Sequence, residues 1–283
     1  MKISKAVVTA AGRAQRHLPL QSVLDREGYP LPASRVFVDE LVSAGIEDIA
    51  FVICPGDEKL YREALGETRA NLHFIEQTEP RGYGHAVLCA RGFVGDDAFL
   101  LTVGDHLYLT DDPQATCARQ LVTLAQRHDA PVSAVQATHE SKLSFFGAVG
   151  GRPLADQPSM LEIQLVREKP TPTDAEQELL VPGQRPGYYY CFFGMHALPA
   201  SIMGLLAKQL EALPAGENLQ LSPALQALAE NTLYLASELR GRRYDLGQPY
   251  GLLSAQLALA LDGPDRENVL ASLVELLAQA RPR

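Results

Sequence analysis

Apolar strands that alternate with segments of helical periodicity constrain the first half of this chain more than any other feature. Residues 5–10, 49–53, 72–75, 99–103 and 132–137 are short runs rich in Val, Ile, Leu, Phe and Ala, bounded by Gly, Pro or Asp. Such runs read as strands buried on both faces. Helical segments are expected between them. Ser34 is placed to cap one with apolar positions Val38, Leu41 and Val42, stopping at Gly45. The others cover 59–65, 85–91 and 114–126. A strand without a polar face needs cover on both sides, and strand–helix–strand repeats provide it through parallel crossovers. The expected class is α/β, with a mixed, mostly parallel central sheet and helices on both faces. Ligands of such sheets sit beyond the carboxyl ends of the strands. Gly12, Gln77 and Asp105 each lie just after a predicted strand, so they can share one rim.

The second half is less regular. Strands are expected at 146–149, 161–166, 188–195 and 233–238, and helices at 200–213, 221–229 and 250–261. Pro172, Pro182 and Pro186, with several acids, suggest a surface loop over 171–186. After Asp262-Gly263-Pro264, residues 269–280 have helical periodicity and would pack on the body or on another subunit. A chain of 283 residues that is 46% hydrophobic can bury one large core with an appendage. The expected division is a main domain over 1–261 and a C-terminal helical extension over 262–283, with homo-oligomerisation left open.

Charge and cysteines exclude several classes. The formal net charge is −9 and no run of Lys or Arg forms a stripe, so nucleic acid is not an expected partner. A local positive cluster can still bind a phosphorylated small molecule. Cys54, Cys89, Cys117 and Cys191 are far apart and never in a C-x-x-C pair, which argues against a disulfide framework or a zinc site. Met1-Lys2-Ile3-Ser4 runs straight into a strand, and no apolar run approaches the length of a membrane span. The expectation is a cytoplasmic protein with no membrane partner.

Three constellations can carry chemistry. In the loop over 11–19, Gly12 lets backbone N–H groups approach phosphate oxygens, and Arg13 and Arg16 can add bidentate contacts. An ordinary βα turn with solvated arginines fits the same residues. The second is Asp105, in Gly104-Asp105-His106 at a strand's end. A carboxylate there can bind Mg²⁺, with Asp245 of Arg242-Arg243-Tyr244-Asp245-Leu246-Gly247 as a second ligand. Alternatively, Asp105 forms a turn and Asp245 pairs with Arg243. The third is Glu168-Lys169-Pro170, where Glu168 can accept from sugar hydroxyls and Lys169 can neutralise a phosphate, unless the pair is a solvated strand end. The seven histidines lack metal-ligand spacing, and His85 and His106 read as filling polar niches. No nucleophile elbow is present, and Gly82-x-Gly84 does not follow the first strand as a dinucleotide fingerprint would.

Taken in order, these pieces resemble the sugar-1-phosphate nucleotidylyltransferases, and among them the bacterial UTP–glucose-1-phosphate uridylyltransferases. The matching segments are Gly12 to Pro19, Gln77 to Ala86, Gly104-Asp105, Glu168-Lys169-Pro170, Arg243 to Gly247, and Leu219-Gln220-Leu221-Ser222-Pro223-Ala224. The resemblance covers residues 3 to about 261 and implies a Rossmann-like nucleotidyltransferase fold. It implies nucleotide binding by Ala11, Gly12, Arg13, Gln77 and Gly82. It places the sugar against Gly147, Glu168 and Gly187, Mg²⁺ on Asp105 and Asp245, and catalytic roles on Arg16, Asp105 and Lys169. The implied partners are an NTP, UTP first, and a sugar 1-phosphate, glucose 1-phosphate first. The implied products are an NDP-sugar and pyrophosphate, formed by in-line attack. The first loop departs from the family pattern Gly-x-Gly-Thr-Arg with a later Pro-Lys pair: it reads Gly12-Arg13-Ala14-Gln15-Arg16, and no lysine occurs from 6 to 58. Arg13, Arg26 or Arg35 would have to stand in. A catalytically silent sugar-nucleotide-binding module is the alternative, and a Rossmann-type dehydrogenase ranks below both.

Overall fold

The computed structural model describes residues 1–13, 16–110, 112 and 114–279. From the N-terminus, β1 (Ile3–Thr9) leads to a small hairpin of β2 (Ser22–Leu24) and β3 (Pro30–Pro32). Then follow α1 (Ala33–Ser43), β4 (Asp48–Ile53), α2 (Glu58–Leu65), β5 (Asn71–Glu76), α3 (Tyr83–Cys89), α4 (Arg91–Val94) and β6 (Ala98–Val103). The middle of the chain gives β7 (His106–Leu109), α5 (Cys117–His128), β8 (Val132–His139), β9 (Gly147–Leu154) and β10 (Gln157–Glu168). The remainder is α6 (Pro172–Glu178), β11 (Tyr188–Leu198), α7 (Ser201–Ala212), α8 (Ser222–Asn231), β12 (Leu235–Glu238), β13 (Arg242–Asp245), α9 (Gly251–Leu261) and α10 (Arg266–Gln279).

Nine strands form one mixed sheet in the order β5-β4-β1-β6-β11-β8-β12-β10-β9. The four strands from the first half, β5, β4, β1 and β6, run parallel. β11 enters antiparallel to both β6 and β8. Alternation along β1 shows why both faces need helices. Val8 packs with Leu41, Phe51, Tyr61 and Leu121 under α1, α2 and α5. Val7 packs with Val87, Leu101, Ile202 and Leu225 under α3, α7 and α8. Phe51, Tyr61, Leu41 and Leu101 are fully buried; each apolar side chain of this size contributes about 1.5–3 kcal/mol.

A third, smaller core matters for the site. Val23, Phe37, Leu107, Leu246, Ala255 and Leu259 pack together. They fasten a two-stranded antiparallel ribbon, β7 with β13, between α1 and α9. This ribbon pairs residues far apart in sequence and was not expected.

Two other expectations need correction. Ser34 does not cap α1: the cap position is Pro32, and Ser34 lies inside the first turn, fully buried. The β2–β3 hairpin ends on the extended Pro30-Leu31-Pro32 segment, which sets the helix start two residues earlier. Residues 171–186 are not all loop, because α6 starts with a capping box between Thr171 and Asp174 and Pro172 in its first turn. Ala175 and Leu179 bury against Leu143 and Tyr189. The C-terminal helix begins at Arg266, three residues before the expected 269, and residue 280 lies outside the described residues. α10 buries none of its side chains and exposes Val274, Leu276 and Leu277. Among the described residues no helix is long and apolar enough to cross a membrane.

One packing contact predicts pH-dependent stability. Glu40 of α1 accepts the Ala118 N–H at the start of α5, 2.7 Å away. Burial pushes its carboxyl up to about 7, against the opposing pull of the α5 amides and Arg26. The folded state therefore holds this proton more tightly than the unfolded chain does. Its contribution to stability falls as pH rises from about 4.5 to about 7. Glu40→Gln keeps the acceptor and removes the titration, so its melting temperature should exceed that of the wild type at pH 8 and not at pH 4.5. Parallel melting-versus-pH curves for the two proteins would contradict this.

Candidate active site

The parallel strands deliver their carboxyl ends to one rim. Gly104 lets the ends of β1 and β6 close up: its N–H donates to the Thr9 carbonyl at 2.9 Å, and a Cβ there would lie 3.0 Å from that oxygen. The rim opens into a cleft of about 720 Å³. Ala11, Gly12, Arg13, Gln77, Gly82, Asp105, Lys169 and Asp245 all line it. Residues 14 and 15, in the middle of the first loop, lie outside the described residues.

At one end, Gln77 is nearly buried and held by two contacts. Its Nε2 donates to the Gly82 carbonyl at 3.2 Å and lies 3.0 Å from His85 Nδ1. His85 thus fills the polar niche expected of it. Gly82 has φ +96°, and a Cβ on it would sit 2.7 Å from the Leu219 carbonyl. That close approach is used: Leu219 N–H donates to Arg81 O at 2.7 Å and Gly84 N–H to Leu219 O at 2.9 Å. The 219–224 segment singled out in the sequence therefore forms a wall of this end. Gly82→Ala would combine a left-handed backbone with a clash against main chain, costing about 2–4 kcal/mol. We expect the Gly82→Ala variant to melt clearly below the wild type. An unchanged melting temperature would show that this close approach is not needed.

At the floor stand Asp105 and Asp245, brought together by the ribbon. His106 is directly opposite Asp245 in the β7–β13 register, and Leu246 N–H donates to Asp105 O at 2.7 Å. Burial raises the Asp105 carboxyl above its ordinary range, and the nearby Asp245 charge adds to this while His106 offsets part of it. Asp245 goes the other way. Burial pushes it up, but His106 and the Gly247 N–H, 2.9 Å from its Oδ1, outweigh that and lower it. Arg243 makes no ion pair with Asp245. Its guanidinium lies 4.0 Å from the Phe146 ring and donates to Phe192 O at 2.5 Å. Among the described residues no three His, Cys, Asp or Glu side chains are already gathered around a metal position.

The remaining sequence candidates divide. Lys169 lines the cleft with φ +46°, an uncommon backbone for a lysine, and its Nζ is 3.9 Å from Glu168 Oε1. Glu168 accepts from Ser222 Oγ at 2.5 Å. Gly147 is beside both, since a Cβ on it would lie 3.1 Å from Ser222 Oγ and 3.3 Å from Glu168 Oε2. Gly187 is set apart from them, its carbonyl accepting Glu140 N–H at 3.0 Å. Arg16 lines a neighbouring groove with Arg13 and Gln77 and pairs with the buried Asp57 at 3.4 Å. Sequence reasoning overlooked Tyr83, Phe145, Phe146, Asn218 and Gln248, which also line the cleft, and placed His106 in a polar niche rather than between two acids. The signal for His106 was its adjacency to Asp105, and it was legible only once β7 was recognised as a strand.

With this geometry in place, comparison with known proteins defines the class. The model of the nucleotidyl transferase family matches residues 5–261, and the chain belongs to that family. It is similar along nearly its whole length to UTP–glucose-1-phosphate uridylyltransferases. The protein of that name from Streptococcus pneumoniae is 30% identical over 98% of both chains. One from Bacillus subtilis is 30% identical over 97% of this chain and 95% of the other. Among solved structures, a UTP-bound UGPase from Acinetobacter baumannii superposes with a TM-score of 0.76 at 24% identity, covering 99% of this chain and 100% of that one. A UDP-glucose pyrophosphorylase complexed with UDP-glucose gives 0.73 at 22% identity over 91% and 98%. At these identities the structural likeness speaks for the fold, which is the Rossmann-like α/β nucleotidyltransferase fold.

Proposed function

We propose that this protein transfers a uridylyl group from UTP to glucose 1-phosphate, giving UDP-glucose and pyrophosphate. The observation that carries the reading is the convergence in one cleft of Gly12 and Arg13, Gln77 and Gly82, Asp105 and Asp245, and Lys169. These are the groups a nucleoside triphosphate and a sugar phosphate require in one place. Gln77 and the Gly82 backbone orient the base. The exposed N–H groups around Gly12, with Arg13, hold phosphate oxygens. Lys169 meets the phosphate of the sugar, and Glu168, positioned by Ser222 beside Gly147, accepts from sugar hydroxyls. Gly187, hydrogen-bonded to Glu140, is assigned to the sugar end by the family resemblance alone. Arg16 reaches phosphate only by leaving Asp57.

A divalent cation fits the site. Asp105 and Asp245 offer the hard oxygen donors that Mg²⁺ selects, and a positive charge beside Asp105 would relieve the burial that now raises its carboxyl. When bound, such an ion neutralises triphosphate charge. The reaction itself is an in-line exchange: a phosphate oxygen of the sugar forms a bond to the α-phosphorus, and the bond to the pyrophosphate oxygen breaks. The residues contribute positioning and charge balance, without a covalent intermediate. We read residues 1–261 as the catalytic unit and 262–283 as an appended helical extension, and we place the protein in the cytoplasm, with its nucleotide substrates.

Pyrophosphate release tests the reading, with UTP, dTTP, CTP, ATP and GTP each crossed with a panel of sugar 1-phosphates. The expected result is release that needs both substrates and is fastest with UTP and glucose 1-phosphate. Ligand binding without release from any pair would favour a silent binding module, the reading prompted by a first loop without lysine.

A further inference from the structure

The side chain of Arg16 stands outside the main cleft. It lines the neighbouring groove with Arg13, His17 and Gln77, whereas Arg13 and Gln77 line both. Its Nη2 lies 3.4 Å from Asp57 Oδ1, and its Nε donates to His17 Nε2 at 3.1 Å. The backbone is docked separately: Tyr61 Oη donates to the Arg16 carbonyl at 3.2 Å. The side chain can therefore turn while the loop stays on α2. Asp57 has few other contacts. It occupies the N-cap position of α2, where an aspartate usually accepts a helix N–H, yet its side chain makes no cap hydrogen bond. It is 2% exposed, and its Oδ2 has no hydrogen-bond partner. Among the described residues, Arg16 is the one cation within ion-pairing distance of it. A carboxylate buried in this way relies on its single counter-charge.

We propose that Asp57 is a positioning residue that parks Arg16 off the cleft, so that a nucleoside triphosphate must compete with it for the guanidinium. The inference rests on the reading of this protein as a UTP-dependent transferase in which Arg16 meets phosphate. The pair is loose enough to exchange. Its 3.4 Å exceeds the about 2.7–2.9 Å of a charge-assisted hydrogen bond, and the Arg16 side chain is 37% exposed. A triphosphate offers the guanidinium more charge and bidentate oxygens. Leaving Asp57, however, strips a buried carboxylate of its counter-charge. That cost opposes the swing and lowers the apparent affinity for UTP in proportion to the fraction of protein whose Arg16 is free.

The test is a double-mutant cycle on the full-length protein, with UTP binding in Mg²⁺ measured by calorimetry. Asp57→Asn keeps the shape of the side chain and removes its charge, so UTP should bind about three- to tenfold tighter. Arg16→Ala should bind UTP more weakly than the wild type. Adding Asp57→Asn to Arg16→Ala should change nothing further, whereas a merely structural role of Asp57 would act with or without Arg16. UTP that binds Asp57→Asn no tighter than the wild type, or a tightening that survives in the Arg16→Ala background, would overturn the inference and leave the transferase reading standing. A wild-type protein that does not bind UTP would overturn both. Arginine side-chain NMR of the wild type answers the question even if Asp57→Asn does not fold. The Arg16 Nε resonance, identified by its loss in Arg16→Ala, should shift when UTP is added, and an unmoved resonance would overturn the inference.

Discussion

Asp105→Asn is expected to lose turnover by about a thousandfold or more while melting at or above the temperature of the wild-type protein. The two effects have opposite signs for one reason. Asp105 is an acid whose folded environment disfavours its charge, first through burial and then through Asp245. At neutral pH the ionised carboxylate therefore costs folding free energy, and a neutral amide of the same shape removes that cost. The proposed cation-binding role needs the charge that stability would discard. Asp245→Asn should lose turnover too but should not gain stability, because His106 and the Gly247 N–H favour the Asp245 carboxylate. Steady-state rates and thermal melts of the two variants at neutral pH separate these expectations. An active Asp105→Asn, or one that melts well below the wild type, would remove Asp105 from its assigned place.

The second large effect is expected at Lys169. Its φ of +46° places a long side chain in a backbone region that costs an L-residue about 1–2 kcal/mol. Glycine there avoids that cost and returns part of the gain through its greater freedom in the unfolded chain. Lys169→Gly should therefore be neutral to about 1 kcal/mol more stable, yet lose turnover by about a hundredfold or more because the charge proposed to meet the sugar phosphate is gone. Lys169→Ala is the control: it loses the same charge but keeps the backbone strain. Equal activity of wild type and Lys169→Gly would assign the strained lysine no part in the reaction. A Lys169→Gly protein less stable than Lys169→Ala would deny the strain.

How far the sequence disclosed this protein depended on the distance over which each signal acts. β4 and β6 were legible because all their residues but Asp48 and Thr102 are apolar, and the turns after them carry Cys54-Pro55-Gly56 and Gly104-Asp105. Gln77, Gly82 and Asp105 could be placed on one rim because parallel crossovers bring strand ends together. Nothing local says that 106–109 will pair with 242–245, more than 130 residues later. The ribbon that unites Asp105 with Asp245 and inserts His106 between them therefore had to be seen. Local signals were also misjudged. The Thr171–Asp174 capping box was visible, but the surrounding prolines favoured a loop. Ser34 has a capping residue's chemistry without its position, since Pro32 already ends the extended segment. Arg16 was weighed for its charge alone, and its pairing with the buried Asp57 is a tertiary contact that no local pattern contains.

The measurement that bears most directly on the proposed reaction follows labelled phosphorus from substrate to product. UTP labelled at the α-phosphorus is incubated with glucose 1-phosphate, the full-length protein and Mg²⁺, and the nucleotide products are separated. Label should move into UDP-glucose, in step with unlabelled pyrophosphate. The transfer should stop when glucose 1-phosphate is omitted and fall to background in Asp105→Asn. Label that stays in UTP, while the protein still binds the nucleotide, would contradict the assignment of transferase chemistry to this cleft.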